Sequence, residues 1–178
     1  MKVLVAFASK HGSTKGISEF IGERLRHAGL EVDVLEVDQV QDLGTYDAFV
    51  LGSALYMFHW MKEARQFASR NRSILASRPV WLFSSGPVGK ETKNAKGQDL
   101  LDPTVSGPRE LEELKGELHA NDHKVFFGAF EGDKLGFFYR QLLKSETMRK
   151  AMQDGDFRDW KEIEAWSNGI ARSLQATI

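Results

Sequence analysis

Within six residues the chain offers three hydroxyls, a glycine, a lysine and a histidine: Ser9-Lys10-His11-Gly12-Ser13-Thr14. They stand where an apolar run, Val3-Leu4-Val5-Ala6-Phe7, gives way to a helical pattern. A turn in that position aims backbone N–H groups and the positive end of a helix dipole at one point, which suits a phosphate dianion. Hydroxyls and N–H groups can hold such an anion through charge-assisted hydrogen bonds without a dedicated arginine. Gly12 allows close backbone approach or a positive φ, and Lys10 either adds charge or points into solvent. The competing reading is an ordinary strand-to-helix turn capped by Ser or Thr. A Walker loop is excluded by the spacing, and a dinucleotide fingerprint by the missing glycines.

Two further stretches have comparable chemistry. Ser53-Ala54-Leu55-Tyr56-Met57-Phe58-His59-Trp60 follows a second buried run, and Ser84-Ser85-Gly86-Pro87-Val88-Gly89 follows a third. Tyr56, Phe58 and Trp60 are each able to pack on a planar ring at little entropic cost, with Tyr56 preferred. The alternative for each is a buried anchor of the next helix.

These loops need a scaffold, and the patterning supplies one. Residues 13–28 carry Ile17, Phe20, Ile21 and Leu25 at helical spacing, with Arg24 and Arg26 near the end and Gly29 as a stop. Residues 31–37 alternate charged and aliphatic side chains, as an edge strand does, whereas 48–52 and 79–83 are continuously apolar, as interior strands are. A helix is expected over 61–72, another over 109–118, a last strand over 124–130 and a closing helix over 160–174. Between them lie a polar excursion at 90–108 and an insert at 131–150, helical from about residue 134. Five strands alternating with helices imply an α/β domain spanning residues 1–178, and right-handed crossovers favour the parallel order 2-1-3-4-5. In that order the loops starting at Ser9, Ser53 and Ser84 emerge together at the carboxyl edge of the sheet, at its switch point.

The composition narrows the partners. The formal net charge of -1 and the lack of a basic, aromatic-interleaved run argue against nucleic acid. The absence of cysteine removes disulfides, thiolate nucleophiles and iron–sulfur ligation, and fits a reducing compartment. No signal peptide and no bilayer-length apolar run is present, so a cytoplasmic location is expected. His11, His27, His59, His119 and His123 are too dispersed to suggest a metal site, although His11 and His59 could approach a ligand held by the loops.

Phe7-x-Ser9-x-x-Gly12-x-Thr14, with the aliphatic Ile21 beyond it, resembles the flavin mononucleotide (FMN) signature of the flavodoxin-like family. Ala6 replaces a larger apolar residue there, Ser18 replaces an alanine, and His11 stands where a hydroxyl is frequent. The resemblance implies a three-layer α/β sandwich with FMN beside the loops, where backbone groups of Ser53, Ala54, Leu55 and Tyr56 and of Ser85, Gly86, Pro87 and Val88 would meet the flavin ring's polar edge and Gly89 would close the third loop. It also implies that the redox centre is the flavin, so that no protein side chain is an evident catalytic acid or base. No acid occurs from residue 48 to 61, and the start of the third loop is equally free of them. A carboxylate ~6 Å from a reduced, anionic flavin would raise its energy by roughly 3 kcal/mol at an effective dielectric of ~20. Acid-free loops therefore favour two-electron chemistry with an organic substrate.

Further residues are similar to the C-terminal region of the menaquinone-dependent protoporphyrinogen oxidase family. They are Gly128-Ala129-Phe130, Phe137-Phe138-Tyr139-Arg140, Glu146-Thr147-x-Arg149-Lys150 and Asp159-Trp160. That similarity implies a porphyrinogen or a quinone as the redox substrate, although residues 90–108 and the insert are less basic than a surface for propionates would be. In the insert, Phe137, Phe138, Leu142 and Leu143 either pack on the end of the sheet or form a lid or membrane-facing surface, with Lys134, Arg140 and Lys144 at lipid headgroups at the inner face of the membrane. The competing functions are a flavodoxin-type electron carrier and an NAD(P)H:quinone reductase. A phosphoacceptor domain of the same topology is excluded: Ala8-Ser9 and Gly52-Ser53 stand where its carboxylates would be needed.

Overall fold

In a computed structural model that describes residues 1–130 and 155–176, the apolar runs are parallel strands with helices on both faces. β1 (Lys2–Ala8) leads through the first loop into α1 (Ser13–His27), then β2 (Glu31–Glu36) and β3 (Ala48–Tyr56). β4 (His59–Trp60) folds back on β3, and α2 (Lys62–Arg70), α3 (Arg72–Leu75) and β5 (Val80–Ser85) follow. Beyond them come α4 (Pro103–Ser106), α5 (Leu111–Leu118), β6 (Asp122–Phe126), β7 (Ala129–Phe130), β8 (Gly155–Asp156) and α6 (Trp160–Gln175).

The sheet order is β2-β1-β3-β5-β6, with all four of those pairings parallel. Counting these as the first to fifth strands, this is the 2-1-3-4-5 order expected from the sequence. Side chains alternate across the sheet, so each interior strand feeds two cores. Leu4, Ala6, Phe49, Leu51, Val80 and Leu82 share one face with Phe67 of α2 and Leu114 and Leu118 of α5. Val3, Val5, Val50, Trp81 and Phe83 share the other with Ile17, Ile21 and Leu25 of α1 and Ile163, Ile170 and Leu174 of α6. The continuously apolar runs thus follow from burial on both faces. At Gly52 a Cβ would fall 2.0 Å from the Phe83 ring, so the ring occupies the space a side chain would need.

Several boundaries differ from those expected. The 61–72 helix is α2 followed by the separate turn α3. The 124–130 strand is two pieces, because β6 ends at Phe126 and β7 pairs instead with β8, antiparallel. The 90–108 excursion contains α4, whose Asp102 cap accepts from the Thr104 N–H at 2.8 Å. Ser53 to Tyr56 are not a loop but the end of β3, which continues into a two-residue hairpin with β4. The 131–150 insert and its Phe137-Phe138-Tyr139-Arg140 and Glu146–Lys150 motifs lie outside the described residues. Asp159 is the cap of α6, accepting from the N–H groups of Lys161 and Glu162. Among the described residues no helix is long and apolar enough to cross a membrane.

One polar chain crosses the core. The Trp60 Nε1–H donates to Ser84 Oγ at 2.8 Å, and Ser84 Oγ lies 2.8 Å from His123 Nε2. His123 is buried, and its Nδ1 has no partner among the described residues. Burial pushes its pKa down to about 4, helped by Lys115 and opposed by Asp122. The unfolded chain then binds this proton more readily than the folded one, so stability is present above 6.5 and lost as pH falls from 6.5 to 4. The loss should amount to about 3 kcal/mol. Urea unfolding across that window should show it, and His123→Gln should flatten the dependence.

Candidate functional site

At the carboxyl edge of the sheet, between β1 and β3, the three loops border one cleft of about 690 Å³. Of the residues singled out in the sequence, Ser9, Lys10, His11, Ser13 and Thr14 line it from the first loop. Ala54, Leu55 and Tyr56 line it from β3, and Ser85, Gly86, Pro87 and Val88 from the end of β5 and the loop beyond. Gly12, Ser53 and Gly89 do not. Ser53 is buried, its hydroxyl donating to the Ala54 carbonyl and accepting from the Met61 N–H, which ties the hairpin to the start of α2. Gly12 and Gly89 shape their loops, with φ of 86° and 130°.

The first loop is built around donors. Gly12 precedes α1 and provides no capping side chain. The first helical bond runs from the Gly16 N–H to the Gly12 carbonyl at 3.0 Å, so Ser13, Thr14 and Lys15 have N–H groups with no acceptor within the helix. No acid stands in the first turn. The hydroxyls divide their roles. Ser9 Oγ accepts from the Gly12 N–H at 3.1 Å and closes the loop. Ser13 Oγ accepts from the Ala129 N–H at 2.8 Å and lies 3.3 Å from Ser85 Oγ, bracing the first loop against the third and against β7. Thr14 Oγ1 is buried at the cleft wall without a hydrogen-bond partner among the described residues. A buried hydroxyl left in that state costs about 1–3 kcal/mol, so the turn carries an unmet demand for an acceptor or donor from outside.

The hairpin forms the opposite wall. Its tip, Met57-Phe58, has φ of 50° and 63°, the geometry of a tight turn normally made by Asn-Gly. Tyr56, Met57 and Phe58 are exposed by 57%, 77% and 55%. Lys10 Nζ sits 5.2 Å above the Tyr56 ring. Trp60, weighed in the sequence as a stacking residue, is instead buried among core residues and bonded to Ser84. Tyr56 and Phe58 remain as exposed aromatic surfaces.

Acid-free sequence around this loop does not make an acid-free site. Glu110, fifty residues from Trp60, reaches the hairpin. Its Oε2 lies 2.8 Å from His59 Nδ1, and its Oε1 accepts from the Trp60 N–H at 2.8 Å, with Arg65 Nε at 3.7 Å. The neighbouring Arg109 N–H donates to the Phe58 carbonyl at 2.8 Å. Glu63 of α2 also lines the cleft. No local pattern could have shown this pairing, since it depends on where the 90–108 excursion returns. His11, on the first loop, is held below the usual imidazole range by partial burial and by the charge of Lys10.

The parallel sheet and the cleft at its switch point define an α/β domain of the doubly wound class. The profile of the family described as "Flavodoxin domain" matches residues 4–157, and the chain belongs to that family. Among curated proteins it is similar to protoporphyrinogen IX dehydrogenase [quinone] of Escherichia coli (strain K12), 24% identical over 179 residues that cover 96% of this chain and 95% of that protein. Among solved structures it resembles a flavodoxin from the domain Archaea, with a TM-score of 0.61 at 16% identity, covering 98% of this chain and 99% of that one. Oxidised Flavodoxin 2 from Bacillus cereus superposes with a TM-score of 0.59 at 22% identity, covering 98% and 99%.

The hairpin tip gives a direct test of local strain. Replacing Met57 and Phe58 together by Asn and Gly should raise stability by about 1–2 kcal/mol, since two side chains leave left-handed backbone and little buried surface is lost. The urea midpoint measures it.

Proposed function

We propose that this chain is an FMN-dependent oxidoreductase of the protoporphyrinogen dehydrogenase type, taking hydrogen from a reduced porphyrinogen and using a quinone as acceptor. The observation that carries the cofactor reading is the buried Thr14 hydroxyl, without a partner among the described residues, at the uncapped start of α1 inside a cleft with largely apolar walls. The donor set there suits a phosphate monoester: the N–H groups of Ser13, Thr14 and Lys15, with the hydroxyls of Ser9 and Thr14 beside them. Full-length similarity to the Escherichia coli dehydrogenase supports the substrate class.

A bound flavin supplies an acceptor for hydride; the protein supplies position and electrostatics. The α1 terminus anchors the phosphate, and the Ser13–Ser85–Ala129 brace holds the first and third loops at a constant separation. Backbone groups of Ala54 to Tyr56 and of Ser85 to Val88 border the cleft, where those not already bonded within the sheet and its loops would meet a ring's polar edge. Tyr56 and Phe58 provide aromatic faces that exclude water. Glu63 at the rim and Glu110 behind His59 keep an electron carrier as the second reading, because nearby carboxylates oppose accumulation of an anionic reduced flavin.

Titration with FMN should quench flavin fluorescence with a single saturable site. Thr14→Val should weaken that affinity about tenfold while leaving the unfolding midpoint unchanged or higher, since it removes an unpartnered hydroxyl. A protein that retains no FMN would refute the cofactor reading. Anaerobic reduction by protoporphyrinogen IX and reoxidation by menadione should proceed without an abundant semiquinone; a dominant semiquinone would support the carrier.

A further inference from the structure

We infer that His59 is the proton acceptor at this cleft, its imidazole oriented for that role by Glu110. The inference rests on the oxidoreductase reading above and adds to it a protein group that the reaction uses. His59 opens β4, directly after the two left-handed residues of the hairpin, and lines the cleft. Its side chain is 39% exposed, whereas that of Glu110 is only 12% exposed. The carboxylate is held by the Trp60 N–H and by Arg65 as well as by the ring, so it cannot turn away without stranding a backbone donor.

An ionised carboxylate only accepts, so in the neutral ring the Nδ1–H donates to Glu110 and Nε2 carries the lone pair. That is the tautomer a proton acceptor needs. A proton arriving at Nε2 makes an imidazolium whose charge is met by the carboxylate at 2.8 Å. Among the described residues, the other charged or titratable groups that line this cleft are Lys62, Glu63 and Arg65 of α2 and, across it on the first loop, His11 and Lys10, whose ammonium sits over the ring of Tyr56, the strand partner of His59.

The remaining histidines at this end of the sheet suit the role less well. His11 also lines the cleft, but Lys10 beside it opposes a second positive charge. His123 is enclosed in the core behind Ser84.

In each two-electron oxidation the substrate loses two hydrogens. One would leave as hydride, a proton with two electrons, to the flavin that the cleft would hold. The other leaves as a proton to His59 Nε2, and the electron pair of its broken bond becomes the new double bond of the oxidised product. The proton then passes from Nε2 to water at the exposed face of the ring, while a quinone takes two electrons and two protons to regenerate the flavin. Glu110 acts as a positioning residue and does not change its protonation.

Two variants and two readouts test this. In the flavin-free protein, nitrogen-edited NMR of the imidazoles should show His59 as the Nδ1–H tautomer. Glu110→Gln, whose amide can present either an oxygen or an N–H, should let both tautomers populate. In the FMN-loaded protein, rapid mixing with protoporphyrinogen IX should show flavin reduction slowed about 100-fold by His59→Gln and about tenfold by Glu110→Gln. FMN affinity should stay within about threefold in both, and the rise of the rate with pH should be flattened by His59→Gln. A native reduction rate and pH profile in folded His59→Gln, or an Nε2–H tautomer in the native protein, would overturn the proposal. If the native protein binds no FMN, the functional reading fails instead, and the tautomer measurement still decides how the pair is arranged.

Discussion

A helix that begins without a cap is the constraint on which this end of the molecule depends. α1 starts after Gly12, which has no side chain to offer, and its first turn holds no acid. Among the described residues, nothing quenches its first N–H groups, and Thr14 adds a hydroxyl with no partner there. Such a terminus is stable only because Ile17, Ile21 and Leu25 are buried behind it, in the core shared with β1 and α6. Packing along the helix holds in place a set of donors that local hydrogen bonding alone would have arranged differently.

The opposite wall is fixed by a different kind of constraint. Met57 and Phe58 occupy backbone conformations that each cost about 1–2 kcal/mol for residues with side chains. Three contacts hold them there: β4 pairing with β3, the Arg109 N–H on the Phe58 carbonyl, and Glu110 on the Trp60 N–H. Trp60 adds a fourth from the inside by burying its ring and donating to Ser84. The exposed aromatic tip is thus the outer end of a rigid arm, and its orientation over the cleft is determined by residues at its base. Strain maintained in this way marks places where a particular surface is required.

The same base joins the cleft to the core. Trp60, Ser84 and His123 form a continuous polar chain from hairpin to edge strand, while His59, one residue before Trp60, faces the cleft. Both residues border the cleft, but the His59 side chain is 39% exposed whereas Trp60 is buried, with its ring nitrogen bonded inward to Ser84. One carboxylate, that of Glu110, meets both: the ring of His59 and the backbone of Trp60.

Local patterning was enough to show the five parallel strands, the helices behind them and the three segments that meet at the switch point. Burial on both faces demands unbroken apolar runs such as 48–52, and a helix packed on a sheet demands the spacing of Ile17, Ile21 and Leu25. These are short-range requirements, and a sequence cannot conceal them. The resemblance of Phe7 to Thr14 to a known signature came from the same local compulsion, since a strand must end and a helix must begin within a few residues. Tertiary structure alone decided which of the hydroxyls stay available, because Ser13 is claimed by Ala129 and Ser85, more than seventy residues away. It alone turned Ser53 to Tyr56 from loop into strand and sent Trp60 inward. It also brought Glu110 to His59 across 51 residues of chain. Contacts of that separation depend on how the polar 90–108 excursion returns to the sheet, and no spacing within either segment records the path.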